Sequence, residues 1–355
     1  MNPRRFALRR LSPFFALALL ALSLRAQPTD SAGNPQSLGL RAPTAEEEER
    51  MRVLAPRAVR VLPNALALKR VNDERVSNGL APLSLPVVPD GGEIIFTPGV
   101  AASTAPAIDP GTPPTAADAA LPSAADNSQL AAFPPIRNQG SIGSCACFSS
   151  VYYMSTFMVA QARGLNVRND GNADKFSPKF VYPFVNGGAD GGSWFTDIFE
   201  MLLKHGAPTL TDWPYSGANV PSSYLEWPVD GGVWRRALEN RMDSSYTITG
   251  IDTEAGLTRL KTALANGKIL VWATNVNGWD YATASDDPST TADNALVGRP
   301  VVKVMRVHSS GHAMTVVGYN DNLWVDLNKN GRVDPGEKGA LRIANSWGQI
   351  GRAHV

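Results

Sequence analysis

A chain of 355 residues, 43% hydrophobic and 18% charged, is an ordinary globular mixture, long enough for one large domain or two smaller ones. A formal net charge of +1 supplies no field that would favour nucleic acid or an anionic membrane surface. Only two cysteines, Cys145 and Cys147, exclude a scaffold stapled by several disulfides, so the fold must rest on its core or on another staple.

The N-terminus carries Arg4, Arg5, Arg9 and Arg10 ahead of an apolar run over 14–24. That is the pattern of a removable export signal, with cleavage after Ala26, and it predicts a secreted, periplasmic or cell-surface protein. The run falls short of the roughly 20 apolar residues that span a bilayer, and no later segment is longer. Stable membrane insertion after signal removal is therefore not expected. Arg4-Arg5-Phe6 also fits the start of a twin-arginine signal. Residues 27–128 do not read as a compact domain. Thr44 and Glu47 form a capping-box pattern before a charge-dense stretch that ends at Val76, which predicts one or two helices. Over 81–127, Ala, Pro, Thr, Ser and Gly dominate, and such a segment buries too little apolar surface to offset its chain entropy. Two readings of 27–128 stay open: a propeptide that blocks an enzyme until removed, or a low-complexity spacer.

From 129 to 355 the pattern is globular. Phe148, Val151, Tyr152, Ser155 and Val159 recur at three- and four-residue spacing and predict a helix over 145–162. Further helices are predicted at 194–205 and 253–266, and strands at 269–274, 313–319 and 341–344. The class is α+β, with a helix-rich half followed by a strand-rich half.

A Gly- and Ser-rich loop, Asn138-Gln139-Gly140-Ser141-Ile142-Gly143-Ser144, runs straight into Cys145 and the first predicted helix. A thiol there meets the positive end of the helix dipole, which favours thiolate, and unpaired N–H groups that can hold an oxyanion. Composition alone equally allows a small packing cysteine. Among the four His, His205 sits at a predicted helix C-terminus, His354 near the chain end and His308 in a loop. His312 directly precedes an apolar strand that closes in Gly318-Tyr319.

The segment from Asn138 through Cys145 to Phe148-Ser149 resembles the nucleophile segment of papain-like cysteine peptidases. His312-Ala313 leading to Val317-Gly318-Tyr319, and Asn345-Ser346-Trp347-Gly348, are similar to two further segments of that family, in the same order. The resemblance implies a two-lobed fold, one lobe helical and one an antiparallel barrel-like sheet, with the active site in the cleft. It implies Cys145 as nucleophile, Gln139 as oxyanion donor, His312 as base and Asn345 as the group that orients it, under the cover of Trp347. Spacing from Gln139 selects Cys145 over Cys147, which is left as a packing residue. Gly191-Gly192-Ser193-Trp194 resembles the family's Gly-Gly segment, whose backbone pairs with extended substrate; an ordinary turn opening a helix would look the same. Asp212-Trp213-Pro214-Tyr215 is similar to a Tyr-Pro-Tyr segment of structural role. The implied activity is hydrolysis of polypeptide substrates by a monomer, through a covalent acyl-enzyme. Departures exist: Ile142 stands where the family usually has a disulfide cysteine, and Ala146 where it usually has Trp. Ala146 sustains a second reading, an inactive relative that binds peptides or a surface partner. Family members continue into further strands beyond this point, whereas 351–355 looks unlike a closing strand, so an open sheet edge is expected there.

Between the predicted His and Asn strands lies a twelve-residue segment, 326–337, of EF-hand type. Asp326, Asn328, Asn330, Asp334 and Glu337 stand at positions one, three, five, nine and twelve, Gly331 at six, and Arg332 at seven, where a backbone carbonyl serves. The flanks read as strands, so the expectation is a calcium-binding hairpin insert that partly replaces the missing disulfides. A polar turn is the alternative. A calcium-dependent docking module would ordinarily carry two such loops.

Overall fold

The computed structural model describes residues 38–41, 44–46, 72–73, 75–82 and 121–354, apart from 243–244, 246, 249–250, 252, 275, 277–278, 305–309 and 349. The export signal, Glu47 and His308 lie outside the described residues. No described helix is long and apolar enough to cross a membrane.

The helical lobe is built on one long element, α1, which joins three abutting stretches: Cys145–Cys147, Phe148–Ser155 and Thr156–Arg163. The middle stretch has the wide turn of a π-helix, and all eight of its residues are buried, so it is packed on every side. Around it stand α2 (Pro178–Val185), α3 (Phe195–Lys204), α4 (Pro221–Tyr224) and α5 (Gly231–Leu238). Sequence periodicity missed α2, because Pro183 lies inside it and removes a helical donor. Burial of Phe180, Val181, Tyr182 and Val185 outweighs that loss. A further helix, α6 (Glu254–Ala265), packs on the second lobe, its first turn capped by the Thr253 hydroxyl accepting from Gly256 N at 3.1 Å.

The second lobe is an eight-stranded sheet: β1 (Leu40–Arg41), β2 (Ala124–Asp126), β3 (Leu270–Thr274), β4 (Asp280–Thr283), β5 (Pro300–Val304), β6 (Ser310–Trp324), β7 (Lys338–Ala344) and β8 (Ile350–His354). The long β6 is its spine and pairs antiparallel with β1, β2, β3 and β7. It outruns the predicted strand because Asn320 pairs with both Ala124 and Ala340, a tertiary pairing that residue propensity does not carry. One pairing is parallel, between β5 and β8. The expectation for the last residues is corrected here. Ile350–His354 forms β8 and pairs antiparallel with β7 in unbroken register, Ala344↔Ile350 through Ala340↔His354. Backbone hydrogen bonds along β7 hold a segment whose composition gives no strand signal.

Two elements deliver the chemistry to the interface of the lobes. The start of α1 meets β6, where Ala313 joins Cys145 in one apolar cluster. The segment 38–41, remote in sequence, lies between the lobes as β1, with Leu40 opposite Gly311 of β6 and bridged to Ser193 of the helical lobe.

Candidate active site

Cys145 opens α1 behind Ser144, whose hydroxyl does not cap the helix but bonds the Tyr215 hydroxyl at 2.7 Å. Tyr215 donates in turn to the Gln139 carbonyl at 2.6 Å. The Gln139 side chain is fully buried; its amide nitrogen donates to Ile142 O at 3.0 Å and its amide oxygen accepts from the Ser346 hydroxyl at 2.5 Å. Gln139 N donates to Ser346 O at 2.7 Å, and Asn138 forms a bridge with Trp347. The loop before Cys145 is thereby tied to the Asn-Ser-Trp segment of the other lobe.

His312 sits on β6 opposite Thr274 of β3 and is fully buried. Its Nε2 lies 2.7 Å from Asn345 Oδ1, and its ring stacks on Trp347, with centroids 4.1 Å apart and planes at 25°. With Nε2 protonated toward the Asn345 oxygen, Nδ1 holds the lone pair of the neutral ring, and it is buried with no hydrogen-bond partner. Ala313 N, one residue on, donates to Cys145 Sγ at 3.4 Å. Cys145, His312, Asn345, Gln139 and Trp347, spread over more than 200 residues, therefore converge on one place. Cys147 is also buried, 3.9 Å from the Ser193 hydroxyl. His205 caps α3, and His354 lies on β8.

Burial sets the protonation of the pair. It pushes the Cys145 thiol up to about 11, against the smaller opposing pull of hydrogen bonds from the backbones of Ala313 and Gly39. It pulls His312 down to about 4, with the Asn345 bond acting the other way. Between those values the two groups are thiol and neutral imidazole, the unreactive combination.

The cover is the chain's own segment. Gly39 O accepts from Ser193 N at 2.8 Å. A Cβ on Gly39 would come within 1.8 Å of the Gly143 carbonyl oxygen, so only glycine fits. Leu40 is buried in the cluster that holds Cys145. Gly192 has a φ of +79°, and a Cβ on it would meet Gly39 O at 2.2 Å. Of the Gly191-Gly192-Ser193 edge, Ser193 rather than either glycine supplies the N–H that meets the lying segment. A second stretch, 75–82, anchors on the far end of α1. Buried Arg75 donates to Ala162 O and Asn78 Nδ2 to Arg163 O at 3.0 Å, filling carbonyls that the helix end leaves open.

The 326–337 segment joins β6 to β7, with Trp324 opposite Lys338. The Asp326 carboxylate accepts from Asn330 N at 3.1 Å and from Gly331 N at 2.9 Å, across a turn in which Lys329 and Gly331 have φ of 61° and 71°. Asn328 and Asn330 amides both donate to Asp334 at 2.7 Å, and Arg332 N donates to Asn330 Oδ1 at 2.8 Å. Glu337 is buried and accepts from Leu327 N at 2.9 Å, Trp324 Nε1 at 3.0 Å and Asp334 N at 3.1 Å. Among the described residues no three His, Cys, Asp or Glu side chains are grouped to hold a metal ion.

Sequence reasoning missed the supporting residues. Tyr215 was visible only as part of a structural segment, Ser346 as filler in Asn-Ser-Trp-Gly, and Asp190, beside Gly191, carried no signal.

A family model described as papain family cysteine protease matches residues 121–353. Zingipain-2 of Zingiber officinale is 26% identical over 243 residues, covering 65% of this chain and 93% of that protein. Among solved structures, xylellain, a cysteine protease from Xylella fastidiosa, aligns at 20% identity and a TM-score of 0.45 over 68% of this chain and 83% of that one. The bromelain protease of Ananas comosus, in complex with the E64 inhibitor, aligns at 16% identity and a TM-score of 0.39, covering 66% and 90%. The family match spans well over half of the sequence and contains every segment that builds the site. The chain belongs to the papain family of cysteine proteases, a cysteine-type peptidase acting on polypeptides.

Proposed function

We propose that this protein is an exported endopeptidase made as a latent precursor, and that Cys145, His312 and Asn345 carry the reaction. The observation that carries this reading is the 2.7 Å bond from His312 Nε2 to Asn345 Oδ1 beneath Trp347, with the next residue's N–H on Cys145 Sγ. Asn345 holds the ring in one tautomer, which leaves Nδ1 to take the thiol proton. The thiolate attacks the scissile carbonyl. Cys145 N–H and Gln139 hold the oxyanion, and the imidazolium protonates the leaving amine. Water, deprotonated by His312, then releases the acyl group from sulfur. The Gln139 amide already faces the loop interior, held by Ile142 O and Ser346, so a small turn of this group would serve the oxyanion. Gln139→Ala is expected to lower kcat about 10²-fold with KM little changed; steady-state kinetics in which only KM moves would remove Gln139 from this role.

Latency is supported by the 38–41 segment lying on Ser193 and Gly311 over a neutral Cys-His pair, with 75–82 anchored on α1. Within 27–128 these stretches are read as parts of a propeptide. Export rests on the 1–26 signal pattern, and N-terminal sequencing of the released protein tests it: a mature chain retaining residues before Ala26 speaks against it.

We also propose that 326–337 takes calcium. Its donors are all oxygen, from Asp326, Asn328, Asn330, Asp334 and Glu337 and the Arg332 carbonyl, a set suited to a hard cation. The amide donations to Asp334 would reverse as the Asn oxygens turn inward. At 100-fold excess over Kd, calcium would stabilise the fold by about 2.7 kcal/mol, a rise in melting temperature of about 5–10 °C. Thermal melting with calcium and with chelator measures this, and an identical midpoint in both, for wild type as for Asp326→Ala, rules the site out.

A further inference from the structure

We infer that Asp190 is a positioning residue that locks the nucleophile loop to the substrate-binding edge. Its Oδ1 accepts from Gly143 N at 2.7 Å, two residues before Cys145, and from the Tyr182 hydroxyl at 2.5 Å. The Tyr182 hydroxyl, while donating its hydrogen bond to Asp190, accepts from Gly192 N at 3.3 Å. The directions are forced. A carboxylate is acceptor-only, and Tyr182 is kept protonated, its pKa raised by burial and by the Asp190 charge. One oxygen therefore receives two donors and, through the phenol, sets the place of Gly192. Gly143, Tyr182 and Gly192 are all buried while Asp190 is half-buried, so removing the carboxylate exchanges a fixed charged acceptor for at best a mobile water.

The geometry around Gly143 is tight. A Cβ there would lie 3.0 Å from the Tyr182 hydroxyl and 3.2 Å from Asp190 Oδ1. The loop runs Ile142-Gly143-Ser144-Cys145, so any drift of Gly143 moves the nucleophile relative to the Gly192-Ser193 edge. Ile142 occupies the place where the resembling family usually carries a disulfide cysteine. Beside it, a charge-assisted hydrogen bond connects the two loops. The role is alignment of the thiol with a carbonyl laid on the edge. A displacement of about 1 Å in such an alignment can cost about 10² in rate. This inference rests on the proposal that Cys145 is the nucleophile and that the Gly192-Ser193 edge receives the peptide.

The test uses the full-length protein in a Gly39→Val background, which lifts the covering segment and serves as the wild-type reference, with active sites counted by E-64 titration, and compares Asp190→Ala, Asp190→Asn and Tyr182→Phe. Asp190→Ala is expected to lower kcat per titrated site about 30–100-fold with KM changed less than about threefold. Asp190→Asn keeps an oxygen for Gly143 N–H and should recover most of that loss, while Tyr182→Phe, which breaks only the relay to Gly192, should fall between. Alkylation of Cys145 by iodoacetamide, which needs no peptide edge, should stay within a few-fold of wild type in all three. Wild-type kcat in Asp190→Ala, a loss confined to KM, or an Asn variant as impaired as the Ala variant overturns the inference. Should Cys145→Ala itself retain turnover, the nucleophile assignment fails; a dead Cys145→Ala beside a fully active Asp190→Ala fails only the positioning role.

Discussion

Replacing Cys145 with Ala is expected to abolish peptide hydrolysis, with kcat falling by about 10⁴-fold or more, while Cys147→Ala keeps turnover within about threefold of wild type. The two thiols are two residues apart on the helix and both fully buried, so burial does not separate them. Their neighbours do. Cys145 Sγ receives the N–H of Ala313, the residue after His312, whereas Cys147 Sγ has only the Ser193 hydroxyl, at 3.9 Å. A nucleophile and its base act as a unit, so losing the nucleophile forfeits the whole covalent route and leaves only binding and oxyanion stabilisation. Cys147→Ala removes a small buried group next to Ser193 and should cost about 1 kcal/mol of stability at most. Steady-state rates on a general protein substrate, with melting curves as a folding control, decide between the two; comparable losses in both variants would dissolve the assignment.

Replacing Gly39 with Val is expected to release the latent chain, raising the rate of Cys145 labelling by E-64 at neutral pH at least 10²-fold. No side chain fits at Gly39, because its first carbon would overlap the Gly143 carbonyl. The substitution must therefore lift β1 off the cleft, and it lies outside the catalytic machinery. Lifting the segment readmits water to both groups. The burial that raises the thiol to about 11 and lowers the imidazole to about 4 is relaxed, so the thiol falls and the imidazole rises toward their ordinary values. Each unit recovered by the thiol multiplies thiolate at neutral pH by about ten. The pH profile carries the sign. Labelling of the intact chain should climb steadily toward pH 11, because thiolate forms only there, whereas the profile of the Gly39→Val chain should be displaced to lower pH. Equal rates and equal profiles for the two chains would show that 38–41 does not govern access.

The proposed catalytic trio was legible in sequence because each member sits in a short run with its own local logic. Cys145 stands between a Gly/Ser loop and a helix, His312 opens an apolar strand, and Asn345 follows one. The order of the runs and the distance from Gln139 to Cys145 reduced the choice further. Helices 195–204 and 254–265 and strand 270–274 were likewise local, since three- and two-residue periodicities report which face is buried. The hairpin around 326–337 was legible for the same reason, in the spacing of its Asp, Asn and Gly.

What only the tertiary structure decided is every relation made across the cleft. That Gly39 can lie on Gly143 depends on two backbones meeting from more than 100 residues apart, and no composition of 27–128 encodes it. Asp190 looked like an ordinary acidic residue before a glycine pair; its role comes from the Gly143 N–H that the other loop brings to it. The closing strand Ile350–His354 has no strand composition and exists because β7 offers it unpaired backbone groups. The neutral state of Cys145 and His312 is a product of burial that arises only once both lobes and the covering segment are assembled. Local sequence thus determined which residues can do chemistry and on which elements they ride. Assembly determined the surroundings in which those residues are held, because pKa values and backbone contacts depend on what surrounds a group, not on what precedes it in the chain.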